Sequence, residues 1–474
     1  MRRLVAHYRL PESCVRYSCG ADPTQPQGFF TWGEDTVCFG SCSGDNLPSS
    51  LANGLPLPDV HSRVRINGDT LYLPFDPDQL IDNLLLERYP TNGPKPWSET
   101  TKAAMYYGLR PLLATNVRRY LQRLYLMGWQ EIRFPRWPVD LTVEATLENC
   151  LASLMKAQGL DTLPFVWFWP NGYDSCAIVT HDVEEEAGRD FCSSLMDLDD
   201  AFGIKSAFQI IPEGRYAVPP TLLSAFRDRG FEINVHDLNH DGTLFRNEKR
   251  FMERVLAVNR YGKEFGTAGF RAGVMYRNQQ WCHALEFQYD MSVPNVAHLE
   301  PQRGGCCTVF PYFIGHLLEL PSTTTQDYAL FHFLHEYSLE LWKRQIAMIR
   351  QHHGLISILV HPDYILEERA REVYLQLLRF LDTLRAKENL WITTPASVNE
   401  WWRTRSTLNL VPDGSGWRIR GAGSERARIA FARLEGDTIR YEIQPPGSTP
   451  LPGDALVPTV LGNDGGPTGT AERT

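Results

Sequence analysis

The chain has 474 residues, of which 43% are hydrophobic and 22% are charged, and its formal net charge is −9. This length accommodates two or three domains, and the apolar fraction is ordinary for a globular protein with a sizeable core. The excess of acidic over basic residues argues against a nucleic-acid partner, because phosphate binding needs clustered Lys and Arg. No run approaches the ~20 apolar residues of a membrane span, and Tyr8, Arg9 and Pro11 interrupt any apolar core of a signal peptide. We therefore expect a cytoplasmic protein.

The two ends of the chain carry no chemistry that the sequence identifies. Residues 1–165 are predicted to form an α+β accessory region, with helical spacing of apolar residues from Lys102 to Leu126 and a second helix from Thr142 to Gln158. Residues 404–444 contain short alternating runs that are typical of a small β module. Residues 445–474 are rich in Pro, Gly, Thr and Ser, which predicts a disordered tail.

Residues 166–403 alternate short β-rich runs with helical stretches. This alternation predicts parallel β/α architecture, and seven or eight strands in roughly 240 residues fit a closed barrel. The predicted helices are Phe191–Phe202, Pro220–Arg229, Arg246–Tyr261, Ser338–His352 and Glu367–Lys387. The predicted strands are Ser175–Thr180, Lys205–Ile211, Phe231–Val235, Thr267–Phe270, Tyr289–Val293, Leu317–Leu320, Leu355–Val360 and Leu390–Thr393.

Polar residues are concentrated at the carboxyl ends of these predicted strands, where parallel β/α barrels build their active sites. His236 and His240 are four residues apart after one strand, and the carboxylates Asp182 and Glu184 follow another. Imidazole and carboxylate ligands together favour zinc or a similar transition metal, and three protein ligands leave a position open for water. Two such histidines alone are weak evidence, and the alternative is that they are ordinary loop residues.

Five motifs, taken in chain order, resemble those of the polysaccharide deacetylases, the carbohydrate esterase family 4 group with NodB homology. The resemblance covers residues 174–403 and implies a distorted (β/α)7 barrel, so we expect an α/β fold with a distorted barrel of seven or eight units. Gly273 stands where the family has proline, and Asp327 stands for the fourth-motif aspartate without its tryptophan. The matching segments are THDVE at 180–184, HDLNH at 236–240, FRAG at 270–273, Asp327, and LVH at 359–361.

The resemblance also implies roles for individual residues. Asp182 would be the catalytic base held by Arg271, and His361 would be the general acid oriented by Asp327. The metal ligands would be Glu184, His236 and His240, although the exchange of Asp182 and Glu184 between base and ligand stays open. The expected metal is Zn²⁺, with Co²⁺, Mn²⁺, Ni²⁺ and Fe²⁺ as alternatives. A structural salt bridge for Arg271 and a core position for His361 are the competing interpretations.

Two aromatic residues, Tyr276 and Trp281, follow the strand that carries Arg271. They are candidates for stacking on a sugar ring of the substrate, and packing in the core is the equal alternative. The expected function is metal-dependent hydrolysis of a C–N bond, with an N-acetylated sugar or polysaccharide as the substrate. The alternatives are an allantoinase-like hydrolase of another amide and a non-catalytic glycan-binding protein on a decayed barrel.

Overall fold

A computed structural model describes residues 1–444, except 12–13, 21–24, 34–35, 45, 52–55, 92–125 and 415. The helix predicted from Lys102 to Leu126 lies outside the described residues apart from its last residue, and so does the predicted tail 445–474.

The described residues form helices in the N-terminal region and between the strands of the barrel. The helices are α1 Arg2–Tyr8, α2 Pro77–Leu85, α3 Thr142–Ala157, α4 Glu186–Asp200, α5 Pro220–Asp228, α6 Glu248–Glu264, α7 Glu340–Gln351, α8 Glu368–Lys387 and α9 Pro395–Thr407. Local chemistry explains several helix starts. The side chain of Asp76 accepts hydrogen bonds from the backbone of Asp78 and Gln79 at the start of α2, and Asn247 accepts one from Arg250 at the start of α6.

The strands fall into one large sheet and several small ones. The strands of the N-terminal region are β1 Tyr17–Cys19, β2 Gly28–Thr31, β3 Val37–Gly40, β4 Arg65–Asn67, β5 Thr70–Leu73 and β6 Thr162–Val166. The large sheet contains β7 Ser175–Val183, β8 Ala207–Ile210, β9 Glu232–His236, β10 Gly269–Arg271, β11 Tyr289–Asp290, β12 Tyr312–Ile314, β13 Leu317–Glu319, β14 Leu355–Leu359 and β15 Leu390–Thr393. The remaining strands are β16 Asn409–Asp413, β17 Gly416–Arg420, β18 Ile429–Glu435 and β19 Thr438–Ile443.

The large sheet has the order β12-β13-β11-β10-β9-β8-β7-β14, and β15 pairs with the amino half of β7 on the side of β8. Every pairing in it is parallel except β12 with β13. The predicted α/β fold class is confirmed, because helices alternate with the parallel strands of a curled, barrel-like sheet. The antiparallel strand β12 was not predicted, although Gly315, with a φ of 61°, marks the turn into β13.

The predicted closure of the barrel by strand pairing is not observed within the described residues, since the edge strands β12 and β14 are not paired with each other. One backbone hydrogen bond, from the amide of Leu355 to the carbonyl of Val309 at 2.7 Å, and two threonine side chains join this seam. The hydroxyl of Thr323 donates to the carbonyl of Leu355 at 2.8 Å and accepts from the amide of Ser357 at 2.9 Å. The hydroxyl of Thr324 donates to the carbonyl of Ser357 at 2.7 Å. The sheet is therefore a distorted barrel with one seam made largely by threonine side chains.

The N- and C-terminal regions pack on the barrel through shared elements. Strand β6 forms a three-stranded antiparallel sheet with β18 and β19, so the last strand of the N-terminal region pairs with a strand of the C-terminal region. Helix α9 continues through the predicted boundary between residues 403 and 404. Buried apolar residues of the N-terminal region and of the barrel belong to one continuous core. The domain division stays a prediction. Among the described residues, no helix has the length and apolar character needed to cross a membrane.

Candidate metal and acid–base site

Strand β7 brings two carboxylates to the carboxyl end of the barrel. All nine of its residues are buried, and side chains of alternating residues point to opposite faces of a strand. Asp182 and Glu184 therefore share one face. His181 lies on the other face, where its Nδ1 is 2.9 Å from the carbonyl oxygen of Val360 and its Nε2 is 3.1 Å from Asp199 on α4. The alternation of β7 thus places the two carboxylates together at the site.

Three potential ligand atoms converge at this end of the barrel. One ligand atom each of Glu184, His236 and His240 lies within 4.8 Å of the other two. The Nε2 atoms of His236 and His240 are 4.0 Å and 3.0 Å from Oε1 of Glu184, yet both nitrogens are buried without a hydrogen bond. Nδ1 of His236 is 3.2 Å from the carbonyl oxygen of Arg271, which leaves Nε2 as the atom with a lone pair. Two buried imidazole nitrogens without hydrogen bonds, beside a carboxylate, fit a divalent metal of the zinc type.

Asp182 is held on one side of this cluster by Arg271. Nη1 of Arg271 donates to Oδ1 of Asp182 at 2.7 Å and to the hydroxyl of Thr180 at 2.9 Å. Oδ2 of Asp182 lies 3.6 Å from Nε2 of His236. Burial raises the pKa of Asp182, but the charges of Arg271 and His236 outweigh burial and lower the pKa below its usual value. Asp182 is therefore ionised at neutral pH and has one oxygen that Arg271 does not bind.

His361 lies on another side of the cluster and is oriented by Asp327. Nδ1 of His361 is 2.7 Å from Oδ1 of Asp327, and the backbone amide of His361 donates to Oδ2 at 2.8 Å. Nε2 of His361 is 3.6 Å from Oε1 of Glu184. Burial lowers the pKa of His361, but the carboxylates of Asp327 and Glu184 outweigh burial and raise the pKa well above its usual value. The raised pKa favours the protonated form of His361, whose Nε2 faces the cluster.

The departure at Gly273 from the family pattern has a steric cause. A Cβ atom at Gly273 would lie 2.5 Å from Oδ2 of Asp237 and 2.7 Å from Cδ2 of His240. Asp237 and His240 both adopt left-handed backbone conformations, with φ values of 57° and 53°. This local backbone brings the loop between the two histidines against residue 273, so the glycine leaves room for a candidate ligand.

The structure brings seven of the predicted site residues together. Tyr276 is only 2% exposed and its ring is buried in the core, which favours the packing alternative, and stacking of its ring on a sugar stays a prediction. Trp281 is partly exposed but packs against Phe245 and Phe251, with ring centroids 6.3 Å and 5.7 Å away. A contact between Trp281 and the substrate stays a prediction. The roles assigned to the seven converging residues also stay predictions.

Three further residues at the site were not identified from the sequence. Thr180 bridges Arg271 to the carbonyl of Ile358 on β14, to which its hydroxyl donates at 2.8 Å. Arg215 donates to the carbonyl oxygen of His240 at 3.0 Å. The ring of Tyr364 lies 4.9 Å from that of His361, measured between centroids. Thr180 is the first residue of the first motif, so its position was a usable signal, whereas Arg215 in a loop and Tyr364 in a short helical turn have no recognisable spacing.

No model of a known protein family and no curated protein matches this chain. Solved structures match about half of it. A Mycobacterium smegmatis protein assigned to the polysaccharide deacetylases is 17% identical with a TM-score of 0.40, over 52% of this chain and 96% of that one. The Puue allantoinase is 16% identical with a TM-score of 0.40, over 50% of this chain and 92% of that one. The peptidoglycan deacetylase PdaC of Bacillus subtilis is 10% identical with a TM-score of 0.33, over 50% and 94%.

These identities and TM-scores carry no argument about the activity of this chain. What the site does is argued from its own geometry.

Proposed function

We propose that the protein is a metal-dependent hydrolase of amide bonds. The observation that carries this proposal is the placement of an Arg271-bound carboxylate and an Asp327-bound imidazole on two sides of one cluster of ligand atoms. Glu184, His236 and His240 would hold the metal, which supplies polarisation of the amide carbonyl and activation of water when it is bound. Asp182 and His361 then supply the two proton transfers that amide hydrolysis requires.

The base and the acid are each oriented by a hydrogen bond to one atom, which leaves a second atom for catalysis. Arg271 binds Oδ1 of Asp182, so Oδ2 is the atom that takes the proton from the attacking water. Asp327 binds Nδ1 of His361, so Nε2 is the atom that gives a proton to the departing amine. An amine is a poor leaving group, and protonation as the C–N bond breaks is therefore needed.

As the substrate we propose an N-acetylated sugar or polysaccharide, from which hydrolysis releases acetate and a free amine. This choice rests on the order of the five motifs and on the arrangement of base, ligands and acid. Acetate release from chitooligosaccharides, compared with hydrolysis of cyclic amides, separates it from an allantoinase-like activity. A protein that binds one equivalent of metal and hydrolyses neither class would contradict both and favour a glycan-binding role.

The assignment of ligands is tested by His236→Ala and His240→Ala, which should abolish both metal retention and activity. His283→Ala is the matched control, because His283 is exposed and its Nδ1 lies near the carbonyl of Gln280. It should behave as the unaltered protein does. A double variant of the two ligand histidines that keeps a full equivalent of metal would refute the site.

The assignment of base and ligand is tested by comparing Asp182→Asn with Glu184→Gln. Asp182→Asn should keep its metal and lose activity by on the order of 10² to 10⁴. Glu184→Gln should lose metal affinity, because a neutral amide is a poorer ligand than a carboxylate. His361→Ala should keep metal and hydrolyse an activated ester far better than an amide. If Asp182→Asn loses metal while Glu184→Gln keeps it, the roles of the two carboxylates are exchanged.

A further inference from the structure

A second cavity, separate from the metal cluster, lies between helix α1 and the barrel. It has a volume of about 650 Å³, including its open mouth. Phe310, one of its lining residues, follows Val309, whose carbonyl accepts a hydrogen bond from the amide of Leu355 at 2.7 Å. Leu355 is the first residue of β14, and His361 follows the other end of that strand. The cavity is therefore at the amino end of the barrel, and the metal cluster is at the carboxyl end.

Most of the cavity wall is apolar and comes from four helices and one loop. Small-molecule sites occur preferentially at interfaces between structural units, as here between the N-terminal region and the barrel. The apolar lining includes Ile81 and Leu85 of α2, Val143 and Leu147 of α3, Phe310 and Phe313 of the loop and β12, and Trp402 of α9.

Two arginines of the same wall have no acidic partner among the described residues. Arg405 is 1% exposed, and its Nε and Nη2 donate only to backbone carbonyls, those of Trp167 at 2.9 Å and of Val166 and His7 at 2.7 Å. Arg9 donates to the carbonyl of Leu408 at 2.7 Å. The third lining arginine, Arg3, differs because its Nε donates to Asp82 at 2.6 Å. Arg9 and Arg405 thus give one side of the cavity two positive charges that are bound by carbonyl oxygens but by no carboxylate among the described residues.

A buried guanidinium without a counter-ion is unfavourable, because desolvation of the charge is not offset by a nearby carboxylate. Burial, followed by the charge of Arg9, lowers the pKa of Arg405 to about 9. The guanidinium is also packed between rings, 5.2 Å from the centroid of Trp402 and 5.5 Å from that of Phe168. An anion in the cavity would pair with both arginines and remove this electrostatic penalty.

We propose that this cavity binds a small molecule with one anionic head group on an apolar body. The head group, a carboxylate or a phosphate monoester, pairs with Arg9 and Arg405, and the hydrocarbon body lies on the apolar wall. This site does not depend on the proposed amide hydrolysis, because it shares no residue with the metal cluster.

The test is isothermal titration of the full-length protein with four probes. Decanoate and decyl phosphate carry both features of the ligand, decanol lacks the charge, and acetate lacks the apolar body. We expect at least one of the two charged amphiphiles to bind with a stoichiometry of one, and decanol and acetate to bind at least about tenfold more weakly. The preferred head group identifies the ligand as a carboxylate or a phosphate.

Variants place the binding in this cavity. Arg9→Gln should weaken binding of the preferred amphiphile about tenfold and leave decanol unaffected. Arg2→Gln is the matched control, because its side chain is 89% exposed and is not part of the wall. Val143→Phe, which fills the cavity from α3, should weaken binding without removing a charge. The proposal is overturned if Arg9→Gln binds as the unaltered protein does, if decanol binds as tightly as the charged probes, or if several equivalents bind.

Discussion

Replacement of Gly273 by alanine tests the packing around a candidate ligand. The added Cβ would lie 2.5 Å from Oδ2 of Asp237 and 2.7 Å from Cδ2 of His240, whereas ordinary contacts begin at 3.4 Å. The Asp237 oxygen is the end of a side chain that can rotate away. The ring of His240 cannot yield as easily, because its Nε2 must stay near Nε2 of His236 and Oε1 of Glu184 to bind a metal.

The size of the effect follows from these distances. Restoring an ordinary contact requires the His240 ring to move by 0.7 Å, the difference between 3.4 Å and 2.7 Å. Metal–ligand distances in proteins tolerate only about 0.2 Å. Perturbation of ligand orientation typically reduces metal affinity about 10- to 100-fold, so we expect a loss in that range for Gly273→Ala.

Competition with a chelator of known zinc affinity measures this loss directly. Gly20→Ala is the matched control, since the nearest atom to its added Cβ is 3.7 Å away and the backbone of Gly20 is not in the left-handed region. Thermal unfolding of the metal-free proteins shows whether the fold is retained. A Gly273→Ala variant that binds zinc as tightly as the unaltered protein would refute the reasoning that the glycine makes room for His240.

Three further changes test the interior of the protein. Burial raises the pKa of Glu144 to about 7 from an ordinary 4.5, so its contribution to stability is present at acidic pH and is lost as the pH rises through 7. The loss in the free energy of unfolding is on the order of 3 kcal/mol between pH 4.5 and 8. Urea unfolding of Glu144→Gln at these two pH values should show no such loss. Glu87→Ala leaves the buried Arg277 without its carboxylate and should destabilise the fold by about 3 kcal/mol, whereas Glu372→Ala in an exposed pair should change little. A result of less than about 1 kcal/mol for Glu87→Ala would contradict a buried pair. Thr323→Val removes both hydrogen bonds of that hydroxyl across the seam and should lower the free energy of unfolding by about 1–3 kcal/mol. Hydrogen exchange at the amide of Ser357 should become faster. Unchanged exchange would contradict the role of the hydroxyl.

The sequence predicted the strands of the barrel well because they are short, β-rich and buried on both faces. The strand Ser175–Val183 extends past the predicted end at Thr180, since His181 is accommodated in the interior by Val360 and Asp199. That partnership depends on helix α4 and on the residue after β14, which is distant in the sequence, and local composition reports neither.

The candidate site was predictable to the extent that its residues follow strands. Asp182, His236 and Arg271 lie in strands or at their ends, and the parallel sheet brings them together. The burial of Tyr276 was not predictable, because an aromatic residue after a strand suits a cleft and a core equally. Arg405 was overlooked for a related reason: an arginine on a helix is normally exposed, and only the packing of α1 against α9 encloses this one.

The seam at Thr323 and Thr324 runs between the two members of the His361–Asp327 pair. His361 follows β14, which pairs with β7, the strand that contains Asp182 and directly precedes Glu184. Asp327 follows the threonine segment on the other side of the seam. Separation of the two edges would take the carboxylate away from the imidazole, and the basicity of the imidazole would fall. The pKa of His361 thus depends on a seam that is held largely by threonine hydroxyl groups. The candidate ligands instead follow β7 and β9, which are joined by continuous backbone pairing through β8.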